Sequence, residues 1–250
     1  KDAPKGSRVI FSAHGIPKNV LIEAKAKKMP FIDATCPLVI KVHNEAKRLY
    51  KDGAHIFLIG HEGHPEVIGT MGQIPLDAIT LIQDKQDVKE LKKINYKKVA
   101  LITQTTLSVD DTKEIIEELK CTFPNIIQPP KEDICYATTN RQLAIKSIAS
   151  KCDLIYVIGA NNSSNSLRLV EVGKRSGCDE THLISDISEV NWNEVEKKQK
   201  IGLTAGASAP DILIQEFINE LNQLYNVEIK KISVADENIT FKIPRELNES

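Results

Sequence analysis

Short apolar runs alternate with amphipathic stretches along most of the chain, and the alternation occurs twice over. His55–Gly60 (HIFLIG) and Leu154–Gly159 (LIYVIG) read as buried strands. Each follows a helical pattern that a cysteine opens, Cys36 in the first copy and Cys135 in the second. Each ends on a glycine that starts a polar loop, and the spacing from Cys36 to Gly60 equals that from Cys135 to Gly159. Past the glycines the copies stay in step, with His64 opposite Ser163 and Glu66 opposite Asn165. Thr80–Lys92 and His182–Glu194 then each predict a short strand and an acidic helix start. Val99–Ile116 and Ile201–Ile218 each predict a strand, a Ser/Thr-rich turn and an amphipathic helix. In the latter helix Ile214, Phe217, Ile218 and Leu221 face a core. Strands separated by helices at this length imply parallel pairing and α/β units of about 100 residues.

Arg8–Lys28 repeats only the second half of a unit: strand, polar turn, helix, with Ser12–Gly15 resembling Thr204–Ala207. The chain therefore reads as two complete units preceded by half of a third, whose cysteine half is expected upstream of residue 1. At the other end, Asn226–Pro244 alternates apolar and polar positions (Ile229, Ile232, Val234, Ile239, Phe241, Ile243). It predicts one or two strands that return to complete the first unit. The expected domains are 1–35, 36–131, 132–222 and the returning segment 223–250. The proline-bearing stretch Phe123–Lys131 is the clearest linker.

Composition narrows the function. A length of 250 residues with 41% apolar content supports a sizeable core, and a net charge of −1 gives no electrostatic case for nucleic acid or an anionic membrane. No apolar run approaches the roughly 20 residues of a membrane span. Five irregularly spaced cysteines without a secretory signal favour reduced thiols in a cytoplasmic setting.

Pro37 after Cys36 suits a first helical position, so Cys36 is expected to cap its helix, where the helix dipole favours the metal-binding thiolate. Two cysteines at one repeat position point to metal ligands rather than two buried small residues; Cys121, Cys152 and Cys178 lack repeat equivalents and read as structural. Three such thiolates would leave one iron of a cubane cluster open, whereas zinc with His61 and His64 is the inorganic rival. The loops Gly60–Glu66 and Gly159–Ser166 leave strand ends for helices, the usual place for phosphate in α/β folds. Ser163, Ser164 and Asn165 supply neutral donors there, His14 and His64 protonatable ones, and Thr105 and Ser208 come from the second-half turns. Taken singly, each Ser or Thr reads as a helix cap, worth roughly 1 kcal/mol; Ser108, Asp110 and Asp211 are given only that role. Glu66 either complements a helix dipole or serves as a general acid beside an anion that keeps it protonated.

The segments FSAHG, DATCPLV, GHEGHPEVIGTMGQ, TQTTLSVDD, DICYATTNRQ, NSSNS and TAGASAPD together resemble the 4-hydroxy-3-methylbut-2-enyl diphosphate reductase (LytB/IspH) family, from about Val9 to the carboxyl terminus. The resemblance implies a trefoil of three pseudo-repeated α/β units with parallel sheets around a central 4Fe–4S cluster, the first unit incomplete here. It implies reductive removal of an allylic hydroxyl from a diphosphate substrate, with electrons from a ferredoxin or flavodoxin. Cys36 and Cys135 match two cluster ligands, the third being expected upstream. Glu66 matches the proton donor. His14, His64, Thr105, Ser163, Ser164, Asn165 and Ser208 match the substrate-binding set. The alternatives for the chain as it stands are an inactive fragment or a non-redox module that binds phosphorylated ligands.

Overall fold

Parallel sheets form where the repeat predicts them. The computed structural model describes the chain except residues 1, 2, 5, 92–95, 245, 246 and 248–250. In the first sheet β1 (Val9–Phe11) pairs in parallel with β2 (Phe31–Asp33). In the second, β3 (His55–Ile59) lies between β4 (Ile79–Ile82) and β5 (Val99–Thr103). In the third, β6 (Leu154–Ile158) lies between β7 (Thr181–Ile184) and β8 (Ile201–Ala205). Helices link the strands: α1 (Lys18–Ala26), α2 (Pro37–Lys51), α3 (Pro65–Met71), α4 (Lys85–Leu91) and α5 (Val109–Thr122), then α6 (Tyr136–Ala149), α7 (Ser164–Arg175), α8 (Trp192–Val195) and α9 (Asp211–Leu224). The chain divides into two compact units, one of residues 1–105, 110–134 and 238–250, the other of 106–109 and 135–237.

The central strands are apolar throughout because both faces are covered, the usual state of a parallel sheet. In the second unit Ile155 and Val157 pack on one face with Ile145 and Ala149 of α6 and Leu169 and Val172 of α7. Leu154, Tyr156 and Ile158 pack on the other with Phe217 of α9 and Val195. In the first unit Val42, Ala46 and Leu49 of α2 lie on Ile56 and Leu58 of β3 and Ala100 and Ile102 of β5. Each fully buried Ile or Leu contributes about 1.5–3 kcal/mol. Ile214 and Leu221 join the Phe217 cluster as expected, while Ile218 is half-buried outside it.

Two expectations are corrected. The acidic helix start expected after β7 is only a 3-10 turn, Ile187–Glu189, followed by the single turn of α8. No strand forms over residues 226–244: Ile229, Ile239 and Ile243 remain 53–61% exposed, and no ladder includes them. Alternation states which side chains share a face; it does not supply a neighbouring strand with free N–H and C=O groups. From Asn238 on, the chain groups with the compact unit that contains residues 1–105 and 110–134.

Candidate active site

In both units the polar loop after the central strand caps the next helix with its own side chain. His64 is the N-cap of α3, and its Nδ1 accepts the Glu66 N–H at 3.2 Å. Ser163, its repeat equivalent, is the N-cap of α7 and accepts the Ser166 N–H at 3.3 Å. Ser163 Oγ also accepts the Ser166 hydroxyl at 3.0 Å, so both its lone pairs are engaged and its own hydroxyl proton points elsewhere.

The first unit gathers His14, His64, Glu66 and Thr105. The glycines of α3 permit this. A Cβ at Gly69 would lie 3.2 Å from the Gly15 backbone, and one at Gly72 would lie 2.4 Å from Pro17, so the helix seats directly against the turn bearing His14. The imidazoles of His14 and His64 meet edge to face, with centroids 5.4 Å apart. Burial, then the neighbouring His14 and His61, hold the His64 pKa down at about 4, consistent with a neutral ring whose Nδ1 is an acceptor.

Glu66 is 2% exposed. Its Oε1 accepts the Thr105 N–H at 2.6 Å and its Oε2 the Thr105 hydroxyl at 2.9 Å. Burial raises the Glu66 pKa to about 7; the two Thr105 bonds oppose that shift, and the nearby Asp133 carboxylate adds to it. A carboxyl group half-protonated near neutrality and held by a hydroxyl that can donate or accept is equipped for acid catalysis.

The cysteines lie where expected. Cys36 is the N-cap of α2 with Pro37 at the first helical position. The residues before it form a tight turn in which Asp33 Oδ1 accepts the Thr35 N–H (3.0 Å) and hydroxyl (2.6 Å), and the Cys36 N–H is bonded to Ala13 O at 3.0 Å. Cys135 is the N-cap of α6; its Sγ accepts the Thr138 N–H at 3.3 Å and lies 3.0 Å from the Thr138 hydroxyl. All five cysteines are free thiols, and both of these are half-buried. Half-exposed sulfurs at helix amino termini, one receiving a backbone N–H, fit thiolate ligands of an iron–sulfur group. Among the described residues the group of three converging side chains that could hold a metal is Glu180, His182 and Glu194, which includes neither cysteine nor His61 nor His64.

In the second unit Asn165 is 5% exposed, and neither its amide nitrogen nor its oxygen has a hydrogen-bond partner. Leaving a buried polar group unpaired costs about 1–3 kcal/mol, so this amide is a candidate ligand contact. Ser164 Oγ receives the Thr106 hydroxyl at 3.1 Å, whereas Ser208 is exposed in the turn between β8 and α9. Gly159 and Gly206 leave room for Ser166, whose Oγ would be 2.1 Å from a Cβ at either.

The structure adds residues to which the sequence reading gives no role. Gln104 Oε1 accepts the His61 N–H at 3.1 Å, and Gln142 binds Leu107 O and the Val109 N–H. Asp133, 5% exposed, pairs with Lys41 at 3.1 Å. A signal for Asp133 was present: an aspartate stands shortly before each repeated cysteine, Asp33 before Cys36 and Asp133 before Cys135.

Parallel α/β units with thiols at helix amino termini, a buried acid and a buried unpaired amide suit an α/β enzyme. The LytB protein family model matches residues 1–222, and the chain belongs to the LytB family. The 4-hydroxy-3-methylbut-2-enyl diphosphate reductase of Paracoccus denitrificans is 48% identical over 249 residues, covering 100% of this chain and 79% of that protein. The reductase of the same name from Roseobacter denitrificans is 49% identical over 99% of this chain and 78% of its own length. Among solved structures, the E-1-hydroxy-2-methyl-but-2-enyl-4-diphosphate reductase of Plasmodium falciparum superposes with a TM-score of 0.92 at 38% identity, covering 99% of this chain and 78% of that one.

Proposed function

We propose that this chain reduces 4-hydroxy-3-methylbut-2-enyl diphosphate, replacing its allylic hydroxyl with hydrogen to give isopentenyl and dimethylallyl diphosphate. Two electrons and two protons enter and water leaves. The observation that carries this reading is Glu66, a buried carboxyl group poised near neutrality in the grip of Thr105. Departure of hydroxide is unfavourable unless an acid protonates it as the C–O bond breaks, and a pKa near the working pH suits that task. The names of the relatives supply the substrate class.

Cys36 and Cys135 would hold a 4Fe–4S cluster, which when bound supplies one-electron transfer and a Lewis-acidic iron. The chain's own residues do the rest. Ser163, Ser164, Ser208 and the Asn165 amide offer neutral donors to the diphosphate. His14 and His64 add ring N–H donors, and the His64 ring gains a proton beside an anion. A ferredoxin or flavodoxin supplies the electrons, and the free thiols suit a reducing cytoplasm.

Glu66→Gln keeps the shape of the carboxyl group and removes its proton. Diphosphate binding is expected to stay within about threefold while turnover falls by about 10²–10⁴. Wild-type turnover in that variant would sink the assignment. Cys36→Ser and Cys135→Ser are each expected to lower the iron and acid-labile sulfide held after anaerobic reconstitution; full iron in both would remove the cluster from the reading.

A further inference from the structure

The outer edge of β5 ends in a charged knot. Along this strand the N–H groups alternate sides: Gln104 donates inward to Ile59 O at 2.8 Å, while Leu101 donates outward to Ile127 O at 2.9 Å. The next outward N–H, that of Thr103, goes to Asp133 Oδ2 at 3.1 Å. Thr103 is 3% exposed, so its N–H needs a partner, and a side-chain carboxylate takes the place of a strand. Burying that carboxylate is costly unless it is paired. Lys41 of α2 pairs with it, giving its ammonium to Asp133 Oδ1 (3.1 Å) and to the carbonyls of Lys131 and Glu132 (both 3.2 Å). Two residues beyond Thr103, Thr105 grips both oxygens of Glu66.

We propose that Asp133, anchored by Lys41, is a positioning residue for Glu66: it fixes the end of β5 from which Thr105 holds the acid, and it sets a negative charge beside it. A backbone carbonyl or an asparagine could satisfy the Thr103 N–H without the cost of a buried charge, so the charge itself needs a reason. The titratable groups around Glu66 are Asp133 on the approach to α6 and His64 at the start of α3, with His14 and His61 beside His64. Burial is the first cause of the raised Glu66 pKa, and the Asp133 charge adds to it by opposing ionisation. The inference rests on the acid role proposed above for Glu66.

The test follows the protonation of Glu66 directly. Its carboxyl band is measured by infrared spectroscopy against pH in the substrate-free protein, identified by its loss in Glu66→Gln, and the pH profile of turnover is measured beside it. In Asp133→Asn the midpoint is expected to fall by about one pH unit. Turnover at pH 8 then drops about tenfold against wild type while that at pH 6 stays within about threefold. Should Asp133→Asn not fold, Lys41→Met acts from the exposed side of the pair: without its cation the buried Asp133 no longer holds its charge, and the Glu66 midpoint falls as it does in Asp133→Asn. A midpoint that neither variant moves overturns the inference, as does an equal loss of turnover at every pH. An alkaline limb that persists at near-wild-type turnover in Glu66→Gln instead overturns the acid role and leaves the band measurement standing as a separate result.

Discussion

Glu66 carries a measurable cost for its chemistry. Unfolded, its carboxyl group ionises near 4.5; folded, burial raises that to about 7. With respect to this group the fold is at full strength below pH 4.5 and loses stability as pH rises towards and past 7, by about 3 kcal/mol in all. Glu66→Gln is therefore expected to be more stable than wild type by about 2–4 kcal/mol in urea melts at pH 8, and no more stable at pH 4. A gain that is independent of pH would mean that Glu66 is ionised at little cost. His64 makes the opposite exchange: burial and its histidine neighbours lower it to about 4, and an anion brought against it reverses the shift. Binding of inorganic pyrophosphate at pH 6 should then take up protons, read from calorimetry in buffers of different ionisation enthalpy. From the sequence alone Glu66 was balanced between a dipole-complementing acid and a catalytic one, because its neighbours His14, Thr105 and Asp133 are remote in the chain and only folding brings them to it.

The elements explain why the proposed ligand-binding groups sit where they do. A cysteine, a histidine or a serine at an N-cap projects into the space before the helix; Cys36, His64, Cys135 and Ser163 all occupy N-caps, and Cys36, His64 and Ser163 follow the carboxyl ends of β2, β3 and β6. This was legible from Pro37 and Pro65 and from the matching spacing of the two copies, since capping depends on local sequence. The close seating of α3 was not legible. Gly72 has ordinary helical-turn geometry, with φ of −73°, and is small only because Pro17 lies against it. Gly72→Ala is expected to destabilise the protein by about 1–3 kcal/mol, lowering the urea midpoint with an unchanged slope. An unaffected midpoint would show that the Pro17 turn yields freely.

At the scale of the whole molecule, the mismatch lies in residues 226–244. Their apolar positions alternate as in a strand, yet no ladder claims them. Glu237 does make side-chain contacts, taking a hydrogen bond from Asn140 at 3.0 Å, but side-chain contacts do not protect backbone amides. Hydrogen exchange is expected to reach the amides of residues 227–235 within seconds, while those of β3 and β6 resist through global unfolding. Slow exchange in that stretch would mean that the alternating residues pair as a strand in solution.

The sequence by itself determined the parallel strands and the address of each cysteine and capping side chain, because periodicity, capping and repeat spacing are written over neighbouring residues. It also determined the family, through seven short segments in order. Only the tertiary structure decided which of these groups has altered chemistry. The raised pKa of Glu66, the neutral ring of His64, the unpaired amide of Asn165 and the Lys41–Asp133–Thr103 knot all depend on burial and on partners distant in the chain. Desolvation is a property of the packed molecule, and no local pattern of residues encodes it.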